Sequence, residues 1–200
     1  LATCKVSNFR RELNMYESAL YRSFTAELPN GKVIEVKAMR FLSLVQADLG
    51  TIKYSVKAVN FSGAVTFEPY IDFDVKNEDA NYDEKFWNEL SKEATENKAF
   101  VTAATFKTDF HACAGYTFTV AQNGNFIQPK QSFIERTKFA ANRFIVEVEQ
   151  GDTVEFIKYA AVASSLYYEK GTLQTEADRL ATNAAETGFD SVLVGGKIVC

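Results

Sequence analysis

Histidine is nearly missing from this sequence: His111 is the only one in 200 residues. A single imidazole leaves little room for a histidine-built metal site or a Ser-His-Asp triad. Cysteine is scarce too. Cys4, Cys113 and Cys200 are far apart and odd in number, which suits neither a disulfide framework nor a zinc cluster. No apolar run approaches the roughly 18–20 residues of a membrane span. Positive charge is not in excess either, since 22 Lys and Arg stand against 26 Asp and Glu for a formal charge of −4. That argues against a nucleic-acid partner held through a broad basic surface. No glycine-rich phosphate loop, no Gly-x-Ser-x-Gly elbow and no kinase element occurs. What is present is core material, 46% hydrophobic residues in a chain of one domain's length.

The chain opens at Leu1 without a charged-then-apolar leader and closes on Gly195-Gly196-Lys197-Ile198-Val199-Cys200. Both ends read as cut from something longer, and a cytoplasmic location is the expectation.

Alternation of apolar and polar residues dominates from about residue 19 to 163, the signature of half-buried strands. Ile52, Tyr54, Val56 and Ala58 alternate with Thr51, Lys53, Ser55 and Lys57, and Val65, Phe67, Ile71 and Phe73 share one side of Gly63–Phe73. Pro69 places this last strand at an edge or a bulge. Further strands read at Ala99–Thr108, Gly115–Ala121, Gln131–Ala140, Asn142–Glu149 and Thr153–Ala163, separated by turn signals at Asn123-Gly124, Ala141-Asn142 and Gly151-Asp152. In the first hairpin, a three-residue loop Pro29-Asn30-Gly31 pairs Ala26 with Ile34 and Phe24 with Val36, whereas a two-residue Asn-Gly turn would set Phe24 against Lys37. A one-residue slip reverses every side chain, so apolar pairing selects the longer loop. The same register sets Arg22 opposite Ala38 and Arg40 opposite Leu20, two guanidinium groups near one another on an otherwise apolar, inward or domain-facing side. Such groups need acceptors.

Residues 76–98 break the pattern, with seven acids against four lysines and the only tryptophan, Trp87. They read as a long loop over 74–98, functional or mobile, with a helical turn or two near Asp83–Ala94. Thr172–Gly188 is a helix with Leu173, Ala177, Leu180, Ala181 and Ala184 on one face, Thr172 or Thr175 as its cap and Gly188 as its end. The fold class is therefore all-β: a large antiparallel sandwich of two sheets and roughly ten strands over residues 1–165, then a helix and the start of a linker over 166–200.

Chemistry-bearing residues are few. His111 and Cys113 point the same way along an extended segment, but nothing nearby orients the imidazole as a base, so a packed histidine beside an inert cysteine is the expectation. Asp72 and Asp74, near Glu78 and Asp79, could form a glycosidase pair or a Ca²⁺ site; the spacing matches no EF-hand loop, and a solvated acidic loop is favoured. Tyr82, Phe86 and Trp87 offer an aromatic sugar platform, or else pin the long loop to the sandwich; the second is favoured.

Several stretches carry a resemblance. Arg11-Glu12-Leu13-Asn14-Met15-Tyr16-Glu17-Ser18-Ala19-Leu20-Tyr21-Arg22-Ser23-Phe24, Arg40-Phe41-Leu42-Ser43, Ile52-Lys53-Tyr54-Ser55-Val56, Asn60-Phe61-Ser62-Gly63, Ile71-Asp72-Phe73-Asp74-Val75-Lys76-Asn77 with Asn81-Tyr82 and Phe86-Trp87 behind it, Phe156-Ile157-Lys158-Tyr159-Ala160-Ala161-Val162 and Gly188-Phe189-Asp190 run in order along the chain. They resemble the N-terminal region of glycoside hydrolase family 65, which includes maltose, trehalose and kojibiose phosphorylases. Phe73 stands where that family often has glycine, and the tail after Leu193 departs from its pattern. The resemblance implies a super-sandwich ahead of a helical catalytic barrel in the same polypeptide. It implies that the general-acid Glu and the phosphate-binding residues lie on that barrel, so no catalytic residue is assigned here and no cofactor or metal is expected. Inorganic phosphate would be co-substrate and an α-linked disaccharide the substrate of the whole enzyme. Arg22, Arg40, Asn81, Tyr82 and Trp87 are then candidates to contact the barrel, shape the substrate entrance or build a homodimer interface. The competing expectations are a free-standing lectin-like sandwich and a purely structural domain.

Overall fold

The computed structural model describes residues 3–76 and 84–195. Within them thirteen strands form two antiparallel sheets. The strands are β1 (Lys5–Asn14), β2 (Ala19–Glu27), β3 (Val33–Leu42), β4 (Leu49–Ala58), β5 (Gly63–Phe67), β6 (Tyr70–Asp72), β7 (Trp87–Thr95), β8 (Lys98–Thr105), β9 (His111–Gln122), β10 (Asn125–Ile127), β11 (Gln131–Arg136), β12 (Phe139–Val148) and β13 (Thr153–Ser164). The large sheet runs β1-β2-β3-β4-β13-β9-β8-β7, with β10 paired to β9; the small one runs β11-β12-β5, with β6 also on β12. Helices α1 (Leu173–Thr187) and α2 (Phe189–Gly195) follow.

The large sheet has two differently covered faces. Its inner face meets the small sheet: Phe118, Val120, Val154 and Phe156 pack on Phe144, Val146 and Val148 of β12. Stacked rings of Phe67, Phe118 and Phe144, with Phe156 beside them, fill the centre. Its outer face carries α1, whose Leu173, Ala177, Leu180 and Ala181 lie on Phe100, Cys113, Ala161 and Ala163. Alanines on both surfaces let helix and sheet approach closely. Farther along, Phe189 of α2 meets Phe41 edge to face at 5.3 Å.

A buried polar network joins the two sheets. The Tyr116 hydroxyl donates to the Pro69 carbonyl (2.7 Å) and accepts the Asn142 amide (3.3 Å). The Asn142 side chain donates to the Thr95 carbonyl (2.7 Å) and to Gln131 (3.0 Å). Such groups are tolerable inside a core because each has a partner.

The first hairpin has the expected register, with Phe24 opposite Val36 and Ala26 opposite Ile34; Gly31 takes a positive φ of 79° to close its loop. Gly188 ends α1 with φ 86° and its amide on the Ala184 carbonyl. Thr172 holds the N-cap position without a side-chain cap. Other expectations are corrected. Residues Trp87–Thr95 are a strand, not loop or helix; a bulge between Glu89 and Ser91 breaks the period-two pattern there. Ala141-Asn142 is no turn, because β12 runs through it, and Asn142 is buried in the network rather than solvated. The turn falls four residues earlier, at Thr137-Lys138, where Lys138 has φ 59°. Pro69 divides Gly63–Phe73 into β5 and β6, both paired with β12. His111 and Cys113 lie within β9. β1 and α2 were not foreseen.

Gly115 sits where the Phe100 ring crosses its strand: an added Cβ would stand 2.4 Å from that ring and 3.4 Å from Ala177 of α1. Phe100 is buried and cannot swing away. Gly115→Ala should therefore destabilise the fold by about 1–3 kcal/mol, measured by urea unfolding.

Candidate functional site

Four strands cannot cover nine. The small sheet lies over β13, β9, β8 and β7, and the inner face of β1–β4 is left partly bare. Near the first hairpin this face is still closed, with Ala26, Val36 and Val56 buried and Phe61 held under the Lys32 ammonium at 4.8 Å. At the other end it opens. Leu20, Arg40, Leu42, Ile52 and Ala160 line a hollow of about 460 Å³ there, with the exposed Leu13 at its rim. Between the sheets a larger cleft of about 1060 Å³ is lined by Arg22, Tyr54, Phe61, Phe67, Tyr70 and Phe156.

The register delivers the arginines to this open face. Arg22 stands opposite Ala38 and Arg40 opposite Leu20, as the hairpin argument expects. Both are exposed, so neither suffers the cost of a buried charge, and among the described residues neither forms an ion pair. The nearest aromatic to Arg22 is the Phe24 ring, 5.6 Å from its guanidinium carbon. Burial raises the Tyr54 hydroxyl above its usual range, and the charge of Arg22 partly offsets this. Two further cations were missed by sequence reasoning. Arg11 of β1 lies directly across from Arg22; it becomes visible once β1 is known to be a strand. Lys158 stands across from Ile52, which pairs in turn with Arg40. Its ammonium donates to the Tyr70 carbonyl at 2.9 Å and lies 4.2 Å from the centre of the Tyr116 ring.

The structure does not bring Trp87 to this face. It packs edge to face on Phe73 at 5.1 Å, with Phe110 at 6.2 Å, at the far margin of the sandwich core. It packs there as the first residue of β7, not as the pin of a long loop. Asn81 and Tyr82 lie outside the described residues, as do Glu78 and Asp79.

The catalytic constellations dissolve on inspection. The His111 Nε2 contacts Asp109 Oδ1 at 2.7 Å, and Asp109 also binds Lys170. Cys113 is fully buried under α1, and burial raises its thiol above the usual range, the opposite of an activated nucleophile. Asp72 accepts the Asp74 amide, and Asp74 is bound by Lys85 and Lys138. Lys85 first and Lys138 next hold its carboxyl below the ordinary range, whereas a glycosidase acid needs a raised value. Among the described residues no group of three or more His, Cys, Asp or Glu could hold a metal ion, and no helix is long and apolar enough to cross a membrane.

The described residues thus hold a partly bare sheet face bearing Arg22 and Arg40, while Asp74, Asp109 and Glu68 are each held by a basic group. The model of the glycosyl hydrolase family 65 N-terminal domain matches residues 1–195. This chain belongs to that family. It is 28% identical to the maltose phosphorylase of Bacillus subtilis over 91% of its own length, and 27% identical to the α,α-trehalose phosphorylase of Thermoanaerobacter brockii over 94%. A solved structure described as a kojibiose phosphorylase from the human microbiome superposes with a TM-score of 0.83 at 15% identity, over 98% of this chain and 24% of that one. The chain spans about a quarter of the length of these relatives, 23% and 25% of the first two.

Two outcomes follow for this family 65 domain. Trp87→Ala should cost about 3 kcal/mol of stability, the range for removing a large core aromatic, read from thermal unfolding; the loss should appear whether or not a sugar is present. Burial lowers Lys158 from its ordinary 10.5 to about 8. The unfolded chain therefore binds the extra proton between these values, so stability from this group rises with pH across that window and is least below pH 8. The stability of the native chain relative to Lys158→Met should increase from pH 8 to pH 10 in urea titrations.

Proposed function

We propose that this domain is the non-catalytic N-terminal part of an enzyme that cleaves α-linked glucose disaccharides by inverting phosphorolysis or hydrolysis. Its task is to seat the catalytic helical barrel of the same polypeptide and to shape the entrance to it. The observation that carries this reading is the open inner face of β1–β4, where Leu13 and Leu42 are 63% and 72% exposed beside Arg22 and Arg40. Exposed apolar surface rimmed by charge marks an interaction site. Membership of the family and the quarter-length match support the presence of a larger partner in the same chain.

The chemistry then belongs to the barrel. A glutamic acid there protonates the departing glycosidic oxygen while inorganic phosphate attacks the anomeric carbon from the opposite face. Phosphate is already anionic, so a base is unnecessary; with water as nucleophile, a second carboxylate must supply one. The domain needs no cofactor or metal for its part, and the enzyme works in the cytoplasm.

The lectin-like alternative has less support. Of the rings lining the cleft, Phe67 is stacked on Phe144 against the core and Tyr70 alone is exposed, and Trp87 is committed to the core. An aromatic platform needs a free face.

The test uses the complete polypeptide beside the isolated chain. The whole enzyme should release glucosyl phosphate from an α-linked glucose disaccharide with phosphate, or glucose with water. The isolated chain should do neither, and should show no saturable heat of binding with maltose, trehalose or kojibiose. Turnover or tight sugar binding by the isolated chain would overturn the reading.

A further inference from the structure

At this end of the large sheet the inner face carries charge of one sign, whereas the outer face is mixed, with Lys5, Arg10, Lys37, Lys53 and Lys57 among its acids. On the inner side of β1, β2, β3, β4 and β13 the register places Arg11, Arg22, Arg40 and Lys158 and no acidic residue. Glu12, Glu27, Glu35 and Glu155, the acids of these strands, all fall on the outer side by the same pairing. The molecule as a whole is acidic, at −4, yet none of the acids of these strands reaches this face.

The placement is also unfavourable as it stands. Arg11 and Arg22 are direct cross-strand partners, and like charges directly opposite destabilise a sheet. Arg40 stands one diagonal step from Arg22 across the β2–β3 pair, a separation of about 7–8 Å. Lys158 already has the Tyr70 carbonyl, and Glu68, the carboxylate on the far wall of the cleft, is held by Arg143. Among the described residues Arg11, Arg22 and Arg40 meet no carboxylate. A planar guanidinium presents paired donors that suit a carboxylate fork, and the apolar hollow beside Arg40 has room for a large side chain.

We propose that Arg11, Arg22 and Arg40 form an arginine cluster that receives carboxylates from the catalytic portion of the same polypeptide, on a segment whose apolar side chain enters the hollow lined by Leu20, Leu42 and Ile52. This rests on the scaffold reading above and names the chemistry of the partner surface. Contact with the acidic segment neutralises the Arg11–Arg22 repulsion, so the exposed face is strained in the domain by itself and relaxed in the assembled enzyme.

The experiment compares the complete polypeptide with one carrying Arg11→Glu, Arg22→Glu and Arg40→Glu, and with one carrying lysine at all three positions. The glutamate variant keeps like charges facing one another on exposed positions, so the domain's own folding is little altered. Calorimetry, limited proteolysis and solution mass are read from about 0.05 to about 0.5 M salt. The native enzyme should unfold in one coupled transition that weakens as salt rises. The glutamate variant should split that transition, release the N-terminal domain to protease about tenfold faster and lose the salt dependence, with the lysine variant between the two. A glutamate variant with unchanged transition and unchanged salt dependence overturns the arginine assignment and leaves the scaffold reading standing. Two independent transitions in the native enzyme at every salt concentration overturn both. A variant that keeps its coupling but halves its mass overturns the assignment in favour of a second copy of the chain.

Discussion

The contact on which this structure depends is the aromatic cluster between the sheets. Phe118 and Phe156 of the large sheet stack with Phe144 and Phe67 of the small one at centroid distances of 5.1–6.4 Å. Each buried ring contributes about 1.5–3 kcal/mol, and their position decides which half of the large sheet is closed. Because the cluster sits on β9 and β13, the small sheet is centred there. The opposite half, β1–β4, is left to find its cover elsewhere. The Tyr116–Asn142 network reinforces the same placement by tying β9, β12 and the Pro69 bend together.

The charged groups of the described residues divide along the same line. Among the described residues, Asp74 is held by two lysines, Asp109 by Lys170 and His111, and Glu68 by Arg143. Arg11, Arg22 and Arg40 on the bare face are the reverse, meeting no carboxylate among the described residues. Division of labour between a scaffold and a catalytic body would leave this imbalance, since each piece is complementary to the other rather than to itself.

How far this could be read from residues depended on how many sides of each strand were buried. Near the first hairpin β2, β3 and β4 bury alternate residues, Ala26, Val36 and Val56, so alternation was plain there and the hairpin register followed from apolar pairing, down to Arg22 and Arg40. β1 is exposed on both sides along almost its whole length, so it has no alternation to detect, and Arg11 went unnoticed with it. β7 does bury a face, but its bulge shifts the phase midway, and an acidic, tryptophan-bearing strand passed for a loop. Asn142 misled in the opposite direction. Asparagine usually marks a turn, yet here its amide is satisfied inside the core by Thr95, far away in sequence, and by Gln131 of the neighbouring β11.

The sequence by itself determined the class of fold, the long C-terminal helix with its glycine stop and the first hairpin. These rest on local geometry and on residue inventory, which short-range pattern carries. Tertiary structure alone decided which strands face the small sheet, that Trp87 belongs to the core, and that three arginines from separate strands share a face without an acid. Those outcomes depend on pairings between residues far apart in the chain, and a strand's own residues do not say which neighbour it will have.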